Sequence, residues 1–426
     1  MYYPPLFKTN FKSSDGLDLG EKLISKDYLL SSYPNLLDSI SASSLFIWGV
    51  TDPNGPSYNT SPVQASPSSF FGKVKQISSN KWQSGPEYYS ALIKSDGSLW
   101  TIGTNTWGQL GLNDRNPRSA FSQVLNSPDG NNYNWKQVYC GSRSTVAIKK
   151  DGTLWACGYN NKFQLGLKNT TNSSIFKQVG IDTDWKYACI GDVHGLAIKE
   201  DGSLYTWGTN RSGVLGKNST DVLGTYTSPT RIGLDNDWNY INTSNHTSCA
   251  IKSDGSLYIW GNYNFCLDDQ GATTCTNFYY QPTKILGSSF VSTNVIPSNT
   301  SSDDWKWKMM SFGYSHASAI RADGTLWSIG DNYLGGLGIN NSSPSSSTSF
   351  LQIATKGIWK QVDCGDYFSA AIRSDGTLWT WGHSNRGQMG RGITESNRPV
   401  GQVSGYWSQV SCQPFAVKAI KTYDYI

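Results

Sequence analysis

The chain is poor in the residues that most often carry chemistry. It has four histidines and eight cysteines in 426 residues, and no Cys-x-x-Cys pair, so the ligand spacing of a structural zinc site is absent. Charged residues are only 15% of the chain, and the net charge of +4 is dispersed with no Lys/Arg run longer than two. A nucleic-acid-binding face needs a dense basic stripe, so nucleic acid is excluded as a partner. No apolar run approaches the ~20 residues of a membrane-spanning helix, and Met1–Lys8 lacks the apolar core of a secretory signal. The expectation is a soluble protein made in a cytoplasm and not inserted in a membrane. Low charge beside 17 Trp, 24 Tyr and 43 Gly also excludes disorder. That composition suits an all-β protein with many tight turns.

What is abundant is repetition. Asp-Gly-Ser/Thr-Leu-Trp/Tyr occurs six times, beginning at Asp96, Asp151, Asp201, Asp254, Asp323 and Asp375. A repeat of about fifty residues indicates a radial or linear array of one supersecondary unit. In one copy, Trp135–Gly141, Val146–Lys149 and Leu154–Gly158 are short β-type runs bounded by turn residues. The Asp-Gly step supplies the positive φ of a hairpin, so the six aspartates are turn formers rather than general acids. The recurrent loops Gly108–Gly111, Gly213–Gly216, Gly335–Gly338 and Gly387–Gly390 are followed by no helical pattern. They read as reversals, not phosphate cradles. Large residues on both faces, such as Leu378 and Thr380 alternating with Trp379 and Trp381, fit sheets packed between two neighbours.

The ends complement each other. Trp407–Cys412 opens a further copy that stops at Ile426, and Leu45–Gly49 supplies a matching third-strand segment. The expectation is a seven-bladed β-propeller over residues 45–426, with N- and C-terminal strands sharing one blade. Phe46, Trp48, Trp407, Val410 and Ile420 are its ring-closure residues. Residues 1–44 then form a short N-terminal arm, with a helix expected over Asp18–Leu30 and ended by Pro34. Tyr2, Tyr3, Leu6, Phe7, Leu19, Leu23, Ile24, Tyr28, Leu29 and Tyr33 are its candidate anchoring residues.

Trp-x-x-Val-x-Cys-Gly, Ala-Ile-Lys, Asp-Gly-x-Leu-Trp and Gly-Gln-Leu-Gly together resemble the regulator of chromosome condensation repeat over residues 45–426. The resemblance implies a seven-bladed propeller with split-blade closure. It leaves function open, because such propellers include exchange factors, ubiquitin-ligase modules, ultraviolet receptors, enzyme inhibitors and surface proteins. The Trp-Arg-Gly pattern expected of the receptors is absent. Asp18–Pro34 resembles leaders on propellers from tailed phages of marine bacteria.

Function is expected where the repeat is broken. The Asp254–Asp323 interval is the longest, and its Gly-rich slot is replaced by Phe265–Gln270. Phe265, Asp268, Asp269, Phe278, Tyr279 and Tyr280 are the candidate contact loop, with Cys266 and Cys275 a possible disulfide. The other recurring cysteines, Cys140, Cys364 and Cys412, read as small buried residues five positions after a Trp. His194 and His316 share one repeat slot and read as packing residues, and no catalytic constellation, metal or cofactor is indicated. The functional expectation is a non-enzymatic virion-surface propeller, a capsid decoration or tail protein. Its arm would bind other virion structural proteins and its ring would contact a host cell-surface molecule. The alternative is a cellular protein-binding module of exchange-factor or inhibitor type.

Overall fold

The computed structural model describes residues 6–12, 18–25, 44–50, 58–65, 74–81, 88–125, 127–217, 224–262, 278–285, 305–332, 334–339, 344–353, 356–395 and 398–422. Among them the only helical turn is the 3-10 segment Arg211–Gly213. Everything else regular is antiparallel β structure. Five sheets have four strands each: the first within residues 74–123, the second 135–178, the third 185–231, the fourth 238–284 and the fifth 307–352.

The second sheet shows how sequence becomes blade. Its strands are Trp135–Cys140, Ser144–Lys149, Leu154–Gly158 and Ser173–Gln178. Every residue of Ser144–Lys149 is buried, as required of a strand covered on both faces. Between it and the third strand, Gly152 takes φ +80°, and a Cβ there would lie 1.9 Å from the Thr183 carbonyl oxygen. Only glycine fits that approach. The Asp151 carboxylate accepts the Thr153 amide at 3.0 Å and hydroxyl at 2.7 Å, and the Thr153 oxygen accepts the Trp155 indole N–H at 2.7 Å. The motif Asp-Gly-Thr-Leu-Trp is thus one hydrogen-bonded unit, repeated at Asp323–Trp327 and Asp375–Trp379.

The Gly-rich loops lock one sheet to the next. The loop carbonyls of Gln164, Val214 and Gly336 accept the indole N–H of Trp207, Trp260 and Trp381 in the next sheet, and the Gln388 carbonyl accepts that of Trp48 within the seven-stranded sheet. The loop amides are also spoken for, since Leu110, Leu165 and Leu215 donate to Asn105, Asn160 and Asn210 side chains. Core clusters accordingly straddle neighbours. One joins Tyr89, Ile93 and Leu99 of the first sheet to Trp135, Val138 and Phe176 of the second.

Seven separate blades do not form. The remaining strands make a single seven-stranded sheet, ordered Trp359–Cys364, Phe368–Arg373, Thr377–Gly382, Arg398–Cys412, Ala416–Thr422, Ser44–Val50 and Tyr58–Gln64. The cause is a short connector. Five residues separate Val179 from Trp185, Ile232 from Trp238 and Ile353 from Trp359, but only 404–406 lie between the matching Val403 and Trp407. Arg398–Cys412 therefore runs on as one strand, bent where Gly405 has φ +106° and where the pairing steps from Leu378↔Val403 to Thr377↔Tyr406. The expected closure, a distinct blade shared by the termini, is corrected with the count. Ser44–Val50 pairs with Ala416–Thr422 inside this larger sheet, in the register Ala419↔Phe46. The ring-closure residues fall there: Trp407 meets Phe46 edge-on at 5.5 Å and Trp48 at 5.7 Å, while Val410 pairs with Ala419 and Ile420 with Leu45.

The helix expected over Asp18–Leu30 is also corrected. Asp18–Ser25 is a strand, paired with Leu6–Lys12 in a two-stranded sheet with Phe7↔Ile24 and Lys8↔Leu23 in register. Phe7, Thr9 and Phe11 in one run and Ile24 in the other favour an extended chain over the loose helical spacing of the leucines.

Lys418 departs from its slot. The matching positions in other sheets hold Val146 and Leu196, yet Lys418 is buried and donates to the Gln413 side-chain oxygen at 2.8 Å. Burial pulls its ammonium down to about 7, against a weaker opposing pull from Cys140. In the unfolded chain it titrates as an ordinary lysine, so between pH 7 and 10 the unfolded state binds more protons and stability rises with pH. Below pH 7 both states are charged and the folded chain carries the full desolvation cost. The difference in melting temperature between Lys418→Met and the parent chain should therefore favour the variant most at pH 6 and narrow by pH 10. Parallel pH profiles would refute the assignment.

Candidate functional site

The inner strands of all six large sheets surround a cavity of about 500 Å³. Its walls come from repeat positions that the inner strands share, including Gln76, Gln361 and Gln409 and, two residues further on, Ser78, Asp363 and Ser411. These glutamines stitch the ring. The Gln76 amide donates to the Val138 carbonyl at 2.9 Å and accepts the Val138 N–H at 3.0 Å. Gln361 does the same to Val410 at 2.8 and 3.2 Å. Gln409 donates to the Lys75 carbonyl and accepts the Ile77 amide at 3.2 Å, joining the seven-stranded sheet to the first. The buried cysteines add a thiol bond apiece: Cys140, Cys364 and Cys412 donate to the carbonyls of Ser78, Ser311 and Asp363. Burial pushes Cys140 up to about 12, so these thiols are inert. The pattern Trp-x-Gln-Val carried this signal in the sequence, and it was not singled out.

One ion pair crosses the cavity. Lys81, just past the first inner strand, pairs with Asp363 and lies 3.1 Å from the Ser311 hydroxyl. Burial is the largest single influence and would lower the Lys81 ammonium, but the Asp363 carboxylate with Cys412 and Cys364 acts the other way and the net shift is upward. The remaining Asp363 oxygen accepts the Cys412 amide at 2.8 Å, and Ser311 donates to the first at 2.7 Å. Chemically this is a satisfied brace with no free nucleophile or base.

The two rims differ. Asp-Gly hairpins and outer-to-inner connectors lie on one, which carries the exposed side chains of Ile181, Leu234 and Ile358. The turns after the inner strands and the Gly-rich loops lie on the other, the loop face. Here Trp107 stacks on Tyr159 at 4.5 Å with Arg143 over the same tyrosine at 5.6 Å, and Arg386 covers Phe415 at 4.7 Å. Tyr314, 49% exposed, lies 5.6 Å from Tyr367, which meets His383 edge-on at 6.3 Å. These residues were missed because they occupy turn positions that vary from copy to copy.

The sequence candidates distribute otherwise. Leu6, Phe7, Leu19, Leu23 and Ile24 lie on the two-stranded sheet, whereas Tyr2, Tyr3, Tyr28, Leu29 and Tyr33 lie outside the described residues. Phe265, Cys266, Asp268, Asp269 and Cys275 lie outside them too. Phe278, Tyr279 and Tyr280 begin an outer strand rather than a projecting loop, with Tyr279 packed against the core of two neighbouring sheets. His194 and His316 are buried, each 2.8 Å from a serine hydroxyl of the next sheet, Ser248 and Ser369. Burial holds them neutral, at about 3 and about 4. They bind sheet to sheet. Among the described residues no group of three or more His, Cys, Asp or Glu could hold a metal ion, and no helix is long and apolar enough to cross a membrane.

The chain carries regulator of chromosome condensation (RCC1) repeats, matched over residues 96–148, 135–164, 188–214, 359–388 and 375–412. It is 26% identical over 327 residues to the X-linked retinitis pigmentosa GTPase regulator homolog of Caenorhabditis elegans, covering 71% of this chain and 20% of that one. It is 26% identical over 320 residues to the ultraviolet-B receptor UVR8 of Arabidopsis thaliana, covering 75% and 55%. The chain thus spans only part of the length of the curated relatives it matches. Among solved structures, human WBSCR16 superposes with a TM-score of 0.72 at 19% identity, covering 89% of this chain and 99% of that one. Yeast RCC1 (Prp20) bound to Kap60 gives 0.73 at 17%, covering 90% of each. The structural likenesses establish a β-propeller fold, and the comparisons lend no support to a tailed-phage leader or a virion role.

The brace across the cavity has a measurable consequence. Lys81→Met strands the Asp363 carboxylate and should cost about 2–3 kcal/mol by denaturant unfolding, less than the ~3–5 of a fully buried pair because Lys81 keeps some solvent. Adding Asp363→Ser, the residue at the matching positions Ser78 and Ser311, should recover most of that loss. Additive losses in the double variant would show that the pair is not coupled.

Proposed function

We propose that this chain is a non-enzymatic protein-binding propeller of the exchange-factor kind, engaging its partner across the loop face. The observation that carries the reading is the composition of that face: Trp107 with Tyr159 and Arg143, Tyr314 with Tyr367, and Arg386 with Phe415 form three groups along it where the repeat is free to vary. Aromatic residues and arginine are what protein interfaces concentrate at their centres. The central cavity supports no reaction, because its one charged pair is internally satisfied. The likeness to yeast RCC1 (Prp20), solved bound to Kap60, concerns the fold.

The competing surface is the hairpin face, with exposed Ile181 and Leu234. The immobilised full chain should capture a discrete partner from cell extract. Trp107→Ala with Arg143→Glu should abolish capture, and Ile181→Ser with Leu234→Ser should leave it intact. The reverse pattern would transfer binding to the hairpin face. Capture lost in neither pair would reject a rim-bound partner.

A further inference from the structure

We propose that the turn joining Trp359–Cys364 to Phe368–Arg373 floors a cup that receives an arginine side chain from a protein partner. The inference rests on the protein-binding reading and names the chemistry of one contact within it.

The floor is Asp366. It is 7% exposed, and its Oδ1 is buried without a hydrogen-bond partner. A buried, unpaired carboxylate is costly, and burial pushes this one up to about 7. The walls are Tyr367 beside it, Tyr314 at 5.6 Å from Tyr367, and His383 at 6.3 Å. The Tyr314 amide donates to the Asp366 carbonyl at 3.0 Å and the Asp331 amide to the Ser315 carbonyl at 2.9 Å, which brings these turns together, and the Tyr367 phenol is held up by burial and by its negative neighbours. Asp331 accepts the Ser315 hydroxyl at 3.2 Å. Two carboxylates and two tyrosine rings therefore converge, while Arg386 on the neighbouring loop lies over Phe415 and Lys81 is paired with Asp363.

The repeat contains an internal counterpart. Gly191-Asp192 in the third sheet matches Gly365-Asp366, and Asp192, half-buried rather than buried, is likewise pushed upward by desolvation. There, however, two arginines of the chain itself act on the carboxylate: Arg143 from the preceding turn and Arg211 from the following loop. The positions matching them around Asp366 hold Ser315 and Asn385. The chain thus supplies cations to one aspartate and withholds them from the other, which faces an aromatic cup instead.

Arginine fits better than the alternatives. Two carboxylates fall short of the six or more oxygens of a hard divalent ion. A guanidinium is planar, weakly hydrated, and able to stack on tyrosine while pairing with a carboxylate. An ammonium loses more hydration for a single-point contact.

The test is calorimetric titration of the full chain with a tetra-arginine amide and with its tetra-citrulline isostere. The arginine peptide should bind, and citrulline should bind at least tenfold more weakly. Asp366→Asn and, separately, the exposed-site variant Tyr314→Ala should each weaken arginine binding at least tenfold with the far-ultraviolet spectrum unchanged. Ser315→Arg, which restores the missing internal cation, should block it. Equal binding by parent and Asp366→Asn, equal binding of both peptides, or no binding at all would overturn the cup. A partner whose capture needs Trp107 and Arg143 but is indifferent to Asp366→Asn and Ser315→Arg would also overturn the cup while leaving the protein-binding reading standing. Loss of all capture would strike the reading itself.

Discussion

The contact on which the ring depends lies between successive inner strands, whether these belong to separate sheets or both to the seven-stranded one. They run too far apart for backbone pairing, yet their peptide groups still have to be satisfied. The glutamine side chain solves this by acting as a displaced peptide unit, with one donor and one acceptor aimed at a single residue of the next strand. Gln76 on Val138 and Gln361 on Val410 show the same two-bond clasp. Gln409 on Lys75 and Ile77 carries it between sequence-distant ends. Once that spacing is fixed, the rest of the wedge follows: histidine-to-serine contacts and indole-to-loop bonds fill the widening gap outward.

A second recurrent device explains why a chain with little charge still places a cation in each copy. The lysine or arginine closing the second strand lies over two aromatic rings. Lys199 covers Trp185 and Tyr205, Lys252 covers Trp238 and Tyr258, and Arg373 covers Trp359 and Trp379. Aspartates of the adjoining connector pair with Lys199 and Lys252 at 2.9–3.1 Å. The aromatic richness of the sequence and the Ala-Ile-Lys motif are therefore two halves of one arrangement, worth on the order of 1–2 kcal/mol per shielded cation.

Motifs with local physics were legible. Asp-Gly-Thr-Leu-Trp identified the hairpins because its hydrogen bonds span only five residues. The recurring cysteines and histidines were legible as packing because their slots repeat. Sheet membership was not legible, because it turned on the length of one connector. With three residues at 404–406 the outer strand had no room to leave its sheet. The strand Asp18–Ser25 was not legible because its leucines fall at helical spacing while the pairing that fixes it lies with Leu6–Lys12, outside the run itself. The loop-face aromatics escaped notice because a residue at a variable turn position carries no periodic signal.

That last failure indicates where function resides in a repeat protein. Residues that recur are explained by the ring, so information about a partner is confined to positions where equivalent residues diverge. Arg143 and Ser315 occupy one such position, and Arg211 and Asn385 another. Between them Asp192 gains two cations and Asp366 gains none. The scaffold can bear an unpaired buried carboxylate because the surrounding clasps do not depend on it. Evolution of a binding face on such a ring requires no new fold element, only loss of an internal partner at one turn and retention of the charge it used to satisfy.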